Sequence, residues 1–83
     1  MASDLETRVT ELVARTITES SGREVALTPE TALITSGFLD SLTVLQLFGS
    51  LQEEFEVELD MDDLTETHFE TASAIAALIE ERT

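Results

Sequence analysis

Gly37-Phe38-Leu39-Asp40-Ser41-Leu42, running straight into Thr43-Val44-Leu45-Gln46-Leu47-Phe48-Gly49-Ser50-Leu51-Gln52-Glu53-Glu54-Phe55, is the stretch that decides the fold. Asp-Ser ahead of an apolar run with helical period is a helix start, because the Asp40 carboxylate can accept from the unpaired N–H groups of the first turn. The helix is expected to begin at Asp40 or Ser41 and to end near Glu56. Val44, Leu47, Phe48, Leu51 and Phe55, three or four apart, form its core stripe. Leu42, Leu45 and Gly49 fall on another face beside Gln46, Gln52 and Glu53. Two apolar stripes fit either a central helix buried on both sides or a small exposed docking patch next to Ser41. Ser41 itself sits where aligned amides and the helix dipole favour negative charge, so a phosphodiester at its hydroxyl would be well placed.

Upstream, Ser3 and Glu6 have capping-box spacing, and Leu5, Val9, Leu12, Val13 and Ile17 follow on one face. This predicts a first helix to about Ser20, ended by Ser21-Gly22. Arg23 to Leu39 is then a long link with Thr28-Pro29, Ser36-Gly37 and irregularly spaced apolar residues. Such a link is expected to wrap onto the core, with a short helical turn allowed after Pro29.

Downstream, Glu56 to Glu70 is an acidic link in which Asp60 or Thr65 could cap a short helix closed by Phe69. Thr71 caps a last helix, Ala72 to about Arg82, with Ile75, Leu78 and Ile79 inward and four small alanines for close approach. The expectation is an all-α single domain over residues 1–83, a bundle of three main helices plus one short helix with a long first loop.

Composition narrows the function. Eighteen acidic residues against four basic ones give a net charge of −14, which argues against nucleic-acid and anionic-membrane partners and favours basic protein surfaces. The absence of cysteine removes disulfides and thiol nucleophiles. No apolar run approaches the roughly 18 residues of a membrane span, and a soluble, cytoplasmic protein is expected. Like-charged copies repel, so a monomer is expected.

Catalysis finds little support in the residues. The one histidine, His68, lies far from Ser41 in the acidic link, and no Gly-x-Ser-x-Gly elbow is present. A calcium loop starting at Asp60 would put Leu64 where an oxygen ligand belongs and Thr65 where glycine is needed. The acidic cluster reads instead as a solvated face, and neither a catalytic nor a metal site is expected.

The size, acidity, helix order, long first link and Asp40-Ser41-Leu42 at the start of the second helix together resemble the acyl and peptidyl carrier proteins. Leu51-Gln52-Glu53-Glu54-Phe55 and Thr71-Ala72-Ser73-Ala74-Ile75-Ala76-Ala77-Leu78-Ile79 also look like that family. The resemblance implies a non-catalytic carrier. Ser41 would be esterified with 4'-phosphopantetheine by a phosphopantetheinyl transferase using coenzyme A and magnesium, with Asp40 orienting the modifying enzyme's metal. The arm would hold an acyl or aminoacyl cargo as a thioester, loaded by an adenylating ligase or an acyltransferase and delivered to a downstream synthase or synthetase. Leu42, Leu45, Gln46, Gly49, Gln52 and Glu53 would face those partners, together with Phe38 and Leu39 leading into the serine.

Two departures qualify the resemblance. Phe38 stands where many members have the glycine three residues before the modified serine, and Gly37 lies one earlier. Gln46 and Gln52 stand where fatty-acid-synthesis carriers usually have acids, and Gly49 where they have a bulkier apolar residue. The Gly-Phe-Leu-Asp-Ser-Leu form is similar to free-standing carriers of polyketide or nonribosomal type. A fatty-acid-synthesis carrier and an unmodified acidic interaction module are the alternatives.

Overall fold

Ser3 and Glu6 satisfy each other's orphan groups at the first helix start: the Glu6 N–H donates to Ser3 Oγ at 3.1 Å and the Ser3 N–H to Glu6 Oε1 at 2.9 Å. The computed structural model describes residues 3–82. From the capping box, α1 runs over Asp4–Ser21 and stops at Gly22, whose φ of 76° lets its N–H turn back to the Thr18 carbonyl. Then come α2 (Ser41–Phe55), a 3-10 turn (Met61–Asp63), α3 (Glu66–Phe69) and α4 (Ala72–Arg82). Among the described residues there is no strand. This is the expected all-α bundle of three main helices and one short one, with a long first loop.

Local signals were used more fully than expected. Asp60 and Thr65, read as alternative caps, each open an element: Asp60 precedes the 3-10 turn, and Thr65 Oγ1 accepts the His68 N–H at 3.2 Å. At Pro29 the chain makes a hydrogen-bonded turn, Thr31 N–H to the Thr28 carbonyl, rather than a helix. At the end of α2, Glu56 takes the left-handed conformation, φ 52°, without a glycine.

Apolar stripes from α1 (Val9, Leu12, Val13, Ile17), α2 (Leu47, Phe48, Leu51) and α4 (Ala72, Ile75, Ala76, Leu78, Ile79) close over Phe69 from α3. The α1 helix lies against both α2 and α4, and α3 against α4. Ala72 and Ala76 are the two alanines that face inward, where a small side chain lets backbones approach. Val44 and Phe55, expected inside, are half-buried at the edge of the core. The guanidinium of Arg8 covers the Phe55 ring at 4.8 Å from its centroid, shielding apolar surface by a cation–π contact.

The long link is fastened to the core by Leu33 and Leu39, both buried. The Leu39 N–H donates to the Leu33 carbonyl at 2.9 Å, with the Leu39 side chain inward and Phe38 outside.

The acidic link is not a uniformly solvated face either. Asp63 is 4% exposed and pairs with Arg82 at the end of α4, while its Oδ2 accepts the Asp60 N–H at 3.0 Å. Buried carboxylates persist when ion-paired and hydrogen-bonded in this way. The hydrogen bond from Arg82 holds the Asp63 carboxyl below its ordinary 3.8. A carboxyl depressed in the folded state stabilises above its unfolded pKa, and that contribution disappears as pH falls through the folded one. The gap in urea midpoint between the wild type and Asp63→Asn is therefore expected to be full at neutral pH and to narrow below about pH 4. A gap independent of pH would contradict the pairing.

Candidate functional site at the start of the second helix

Gly37 makes the bend that delivers the chain to α2. Its φ is 88°, a conformation that glycine adopts without steric cost, and its N–H closes a turn on the Ile34 carbonyl at 3.0 Å. With the bend taken up at Gly37, Phe38 need not be glycine. Asp40 then occupies the N-cap in extended conformation: Oδ1 accepts the Thr43 N–H at 2.8 Å and the Asp40 carbonyl accepts the Val44 N–H at 2.9 Å. The Thr43 N–H bond is also the main reason the Asp40 carboxyl lies below the ordinary carboxylate range, so the cap is charged at neutral pH.

Ser41 is the first residue of α2 and is exposed. Most other serine hydroxyls are engaged. Ser3 caps α1, Ser20 pairs with Thr43, Ser21 and Ser36 donate to backbone carbonyls, and Ser73 donates to Glu6. The Ser41 hydroxyl makes no hydrogen bond to the described residues; Ser50 shares that property but is half-buried in mid-helix. His68 does not serve as a base here. Its Nδ1 lies 3.1 Å from the Asp63 carbonyl and 3.0 Å from Thr65 Oγ1, and the ring makes no hydrogen bond to Ser41.

An apolar groove of about 420 Å³ opens beside the serine, walled by Ile34, Leu39, Val44, Leu45 and Leu64 and reaching Thr65 and Glu66. Around it stand the exposed apolar side chains Phe38, Leu42 and Leu45, at 39%, 62% and 50% of full exposure. The second stripe of α2 is therefore open to solvent, not buried. Gln46 and Glu53 are exposed on the same face and Gly49 is half-buried. Gln52 is otherwise employed: it is half-buried, its Oε1 accepts the Leu59 N–H at 3.1 Å, and it holds the start of the acidic link against α2.

Sequence reading missed two parts of the site. Thr43 is buried and its Oγ1 lies 3.2 Å from Ser20 Oγ, tying the end of α1 to the start of α2. Glu19 of α1 borders a second groove with Leu45, Gln46, Gly49 and Glu53, which widens the acidic face beyond α2. Neither had a local signal, since each depends on how α1 crosses α2.

A model of the family described as "Phosphopantetheine attachment site" matches residues 7–79. No curated protein matches the chain.

Proposed function

The chain belongs to the phosphopantetheine attachment-site family, whose domain carries covalent 4'-phosphopantetheine, and from that premise we propose that Ser41 is the residue esterified and that the protein carries acyl or aminoacyl cargo in specialised biosynthesis of polyketide or nonribosomal type. The observation that carries this reading is the unengaged, exposed hydroxyl of Ser41 at a helix start whose cap is supplied by a different residue, Asp40. The residues fit the group. An ester at Ser41 Oγ disturbs no hydrogen bond of the fold, and the phosphate lies at the amino end of α2, where the helix dipole favours its charge. When attached, the arm supplies the thiol that this cysteine-free chain lacks. Asp40 fixes the first turn and adds a carboxylate beside the serine for the modifying enzyme's magnesium. The chain's own role is presentation, not catalysis.

Leu42 and Leu45 offer apolar anchors, with Phe38, Gln46, Gly49 and Glu53 around them, to the transferase, the loading ligase or acyltransferase and the downstream synthase or synthetase. Glutamines at 46 and 52 and glycine at 49 support partners outside fatty-acid synthesis, because the face is flatter and less acidic than the one a fatty-acid carrier presents. The remaining charge still favours fast, salt-sensitive encounter with basic enzymes, and repulsion between copies favours a monomer.

The test is intact mass before and after incubation with a broad-specificity transferase, magnesium and coenzyme A, followed by peptide mapping. A gain of one phosphopantetheinyl group on the peptide containing Ser41 is expected; a gain mapped to Ser50 or any other residue overturns the assignment. For docking, Leu45→Arg and Glu53→Arg are each expected to lower kcat/KM with a cognate partner about tenfold, the usual scale for losing one interface anchor or reversing one steering charge. Unchanged kinetics with the transferase and with a loading enzyme would remove this face from the interface.

A further inference from the structure

Glu70 sits at the α3–α4 junction and reaches across the fold to the chain that leads into Ser41. Its Oε1 accepts three successive backbone N–H groups, those of Leu33, Ile34 and Thr35, at 3.0, 3.0 and 3.1 Å. Its own carbonyl accepts the Leu33 N–H at 2.7 Å. Three donors converging on one carboxylate oxygen leave the amino end of the 33–37 turn fully satisfied from a remote part of the sequence. Hydrogen bonding from these amides and from Thr35 also keeps the Glu70 carboxyl below its ordinary range, so it is charged at neutral pH.

The base of the clamp is rigid. Phe69 before it is completely buried, and Thr71 after it caps α4 by accepting the Ala74 N–H at 3.0 Å. Ser73 N–H adds a bond to the Pro29 carbonyl at 3.0 Å. From the clamp the path to the serine is short. The Leu33 carbonyl accepts the Leu39 N–H, Leu33 and Leu39 are both buried, and Asp40 follows as the cap of α2.

Resting on Ser41 as the modified residue, we propose that Glu70 is a positioning residue: its carboxylate, held by the α3–α4 junction, clamps the 33–37 turn and so fixes the approach of Phe38 to Ser41 that a modifying enzyme must recognise. Without the carboxylate, the Ile34 and Thr35 amides lose their acceptor, Leu33 keeps only its bond to the Glu70 carbonyl, and the turn samples other arrangements. Only a fraction of molecules then presents the serine correctly. An enzyme that binds that fraction shows a KM raised by its inverse, while kcat at saturation is unchanged.

Glu70→Ala is accordingly expected to raise the transferase KM for the unmodified protein about tenfold with kcat within about twofold, the scale of losing hydrogen bonds to a charged acceptor. Glu70→Gln, which keeps an acceptor oxygen, is expected to recover most of the wild-type KM. Amide hydrogen exchange supplies a readout independent of modification: Ile34 and Thr35 should exchange at least about tenfold faster in Glu70→Ala, while Leu33, which keeps the Glu70 carbonyl, and the core amides of α2 change far less. Ile79→Val, a mild core substitution in α4, serves as the control for general destabilisation and should retain the wild-type KM. Unchanged exchange at Ile34 and Thr35, or faster exchange with an unchanged KM, overturns the inference, as does an equal KM increase in Ile79→Val. A wild type that is not modified at Ser41 overturns the underlying assignment and is visible before any Glu70 variant is measured.

Discussion

Ser41→Ala is expected to show no gain in mass with transferase, magnesium and coenzyme A, a complete loss against full conversion of the wild type, while its thermal unfolding stays within about 1 kcal/mol of the parent. The two halves of this expectation have separate physical grounds. Loss of modification follows because alanine has no nucleophilic oxygen and the neighbouring hydroxyl, Thr43, is buried against Ser20. Retention of the fold follows because the Ser41 hydroxyl bonds to none of the described residues: the first turn is capped by the Asp40 carboxylate on the Thr43 N–H, and alanine is the best helix former. Asp40→Ala is the contrasting variant and should cost about 1 kcal/mol through loss of the cap. A Ser41→Ala protein that still gains a phosphopantetheinyl group would move the attachment elsewhere. One that fails to unfold cooperatively would show that the hydroxyl has a structural role the geometry does not contain.

Phe69→Ala carries the largest expected effect on stability. Phe69 is completely buried, and its ring lies 6.4 Å from that of Phe48 in a tilted arrangement with an interplanar angle of 41°, within the range of aromatic pair contacts. Removing a buried phenylalanine costs about 3–5 kcal/mol, comparable to the few kcal/mol that a single core of this size supplies. The variant should therefore be largely unfolded at 25 °C, with loss of the cooperative urea transition in far-ultraviolet circular dichroism. The consequence extends to the site, because Phe69 anchors the α3–α4 junction from which Glu70 holds the 33–37 turn. Leu42→Ala truncates an apolar side chain at an exposed position and should shift stability by no more than about 0.5 kcal/mol. A Phe69→Ala protein as stable as Leu42→Ala would contradict the packing.

The candidate site was legible where its signals are local. Asp40-Ser41 read as a helix start because a cap needs only a carboxylate and an N–H three residues on, and the structure contains that bond. The offset of Leu42 and Leu45 from the core stripe left two arrangements open, burial on both sides of α2 or an exposed patch, and packing chose the second. The hydrogen-bond partners of Leu39 and Gln52, the Leu33 carbonyl and the Leu59 N–H, were not legible, because they lie across loops of no fixed period.

The sequence by itself determined the elements: the Ser3–Glu6 box, the stops at Gly22 and Gly37, the Asp40 cap and the stripes that specify three long helices. Each is encoded within a few residues, by backbone geometry and side-chain period. Only the tertiary structure decided which acids are solvated and which hold the fold. Asp63 is buried on Arg82, and Glu70 grips the amides of a turn near Ser41, yet in the sequence both stand among many similar carboxylates. A hydrogen bond between residues far apart in the chain leaves no local pattern, so these acids acquire their roles only when packing of the helices brings donor and acceptor together.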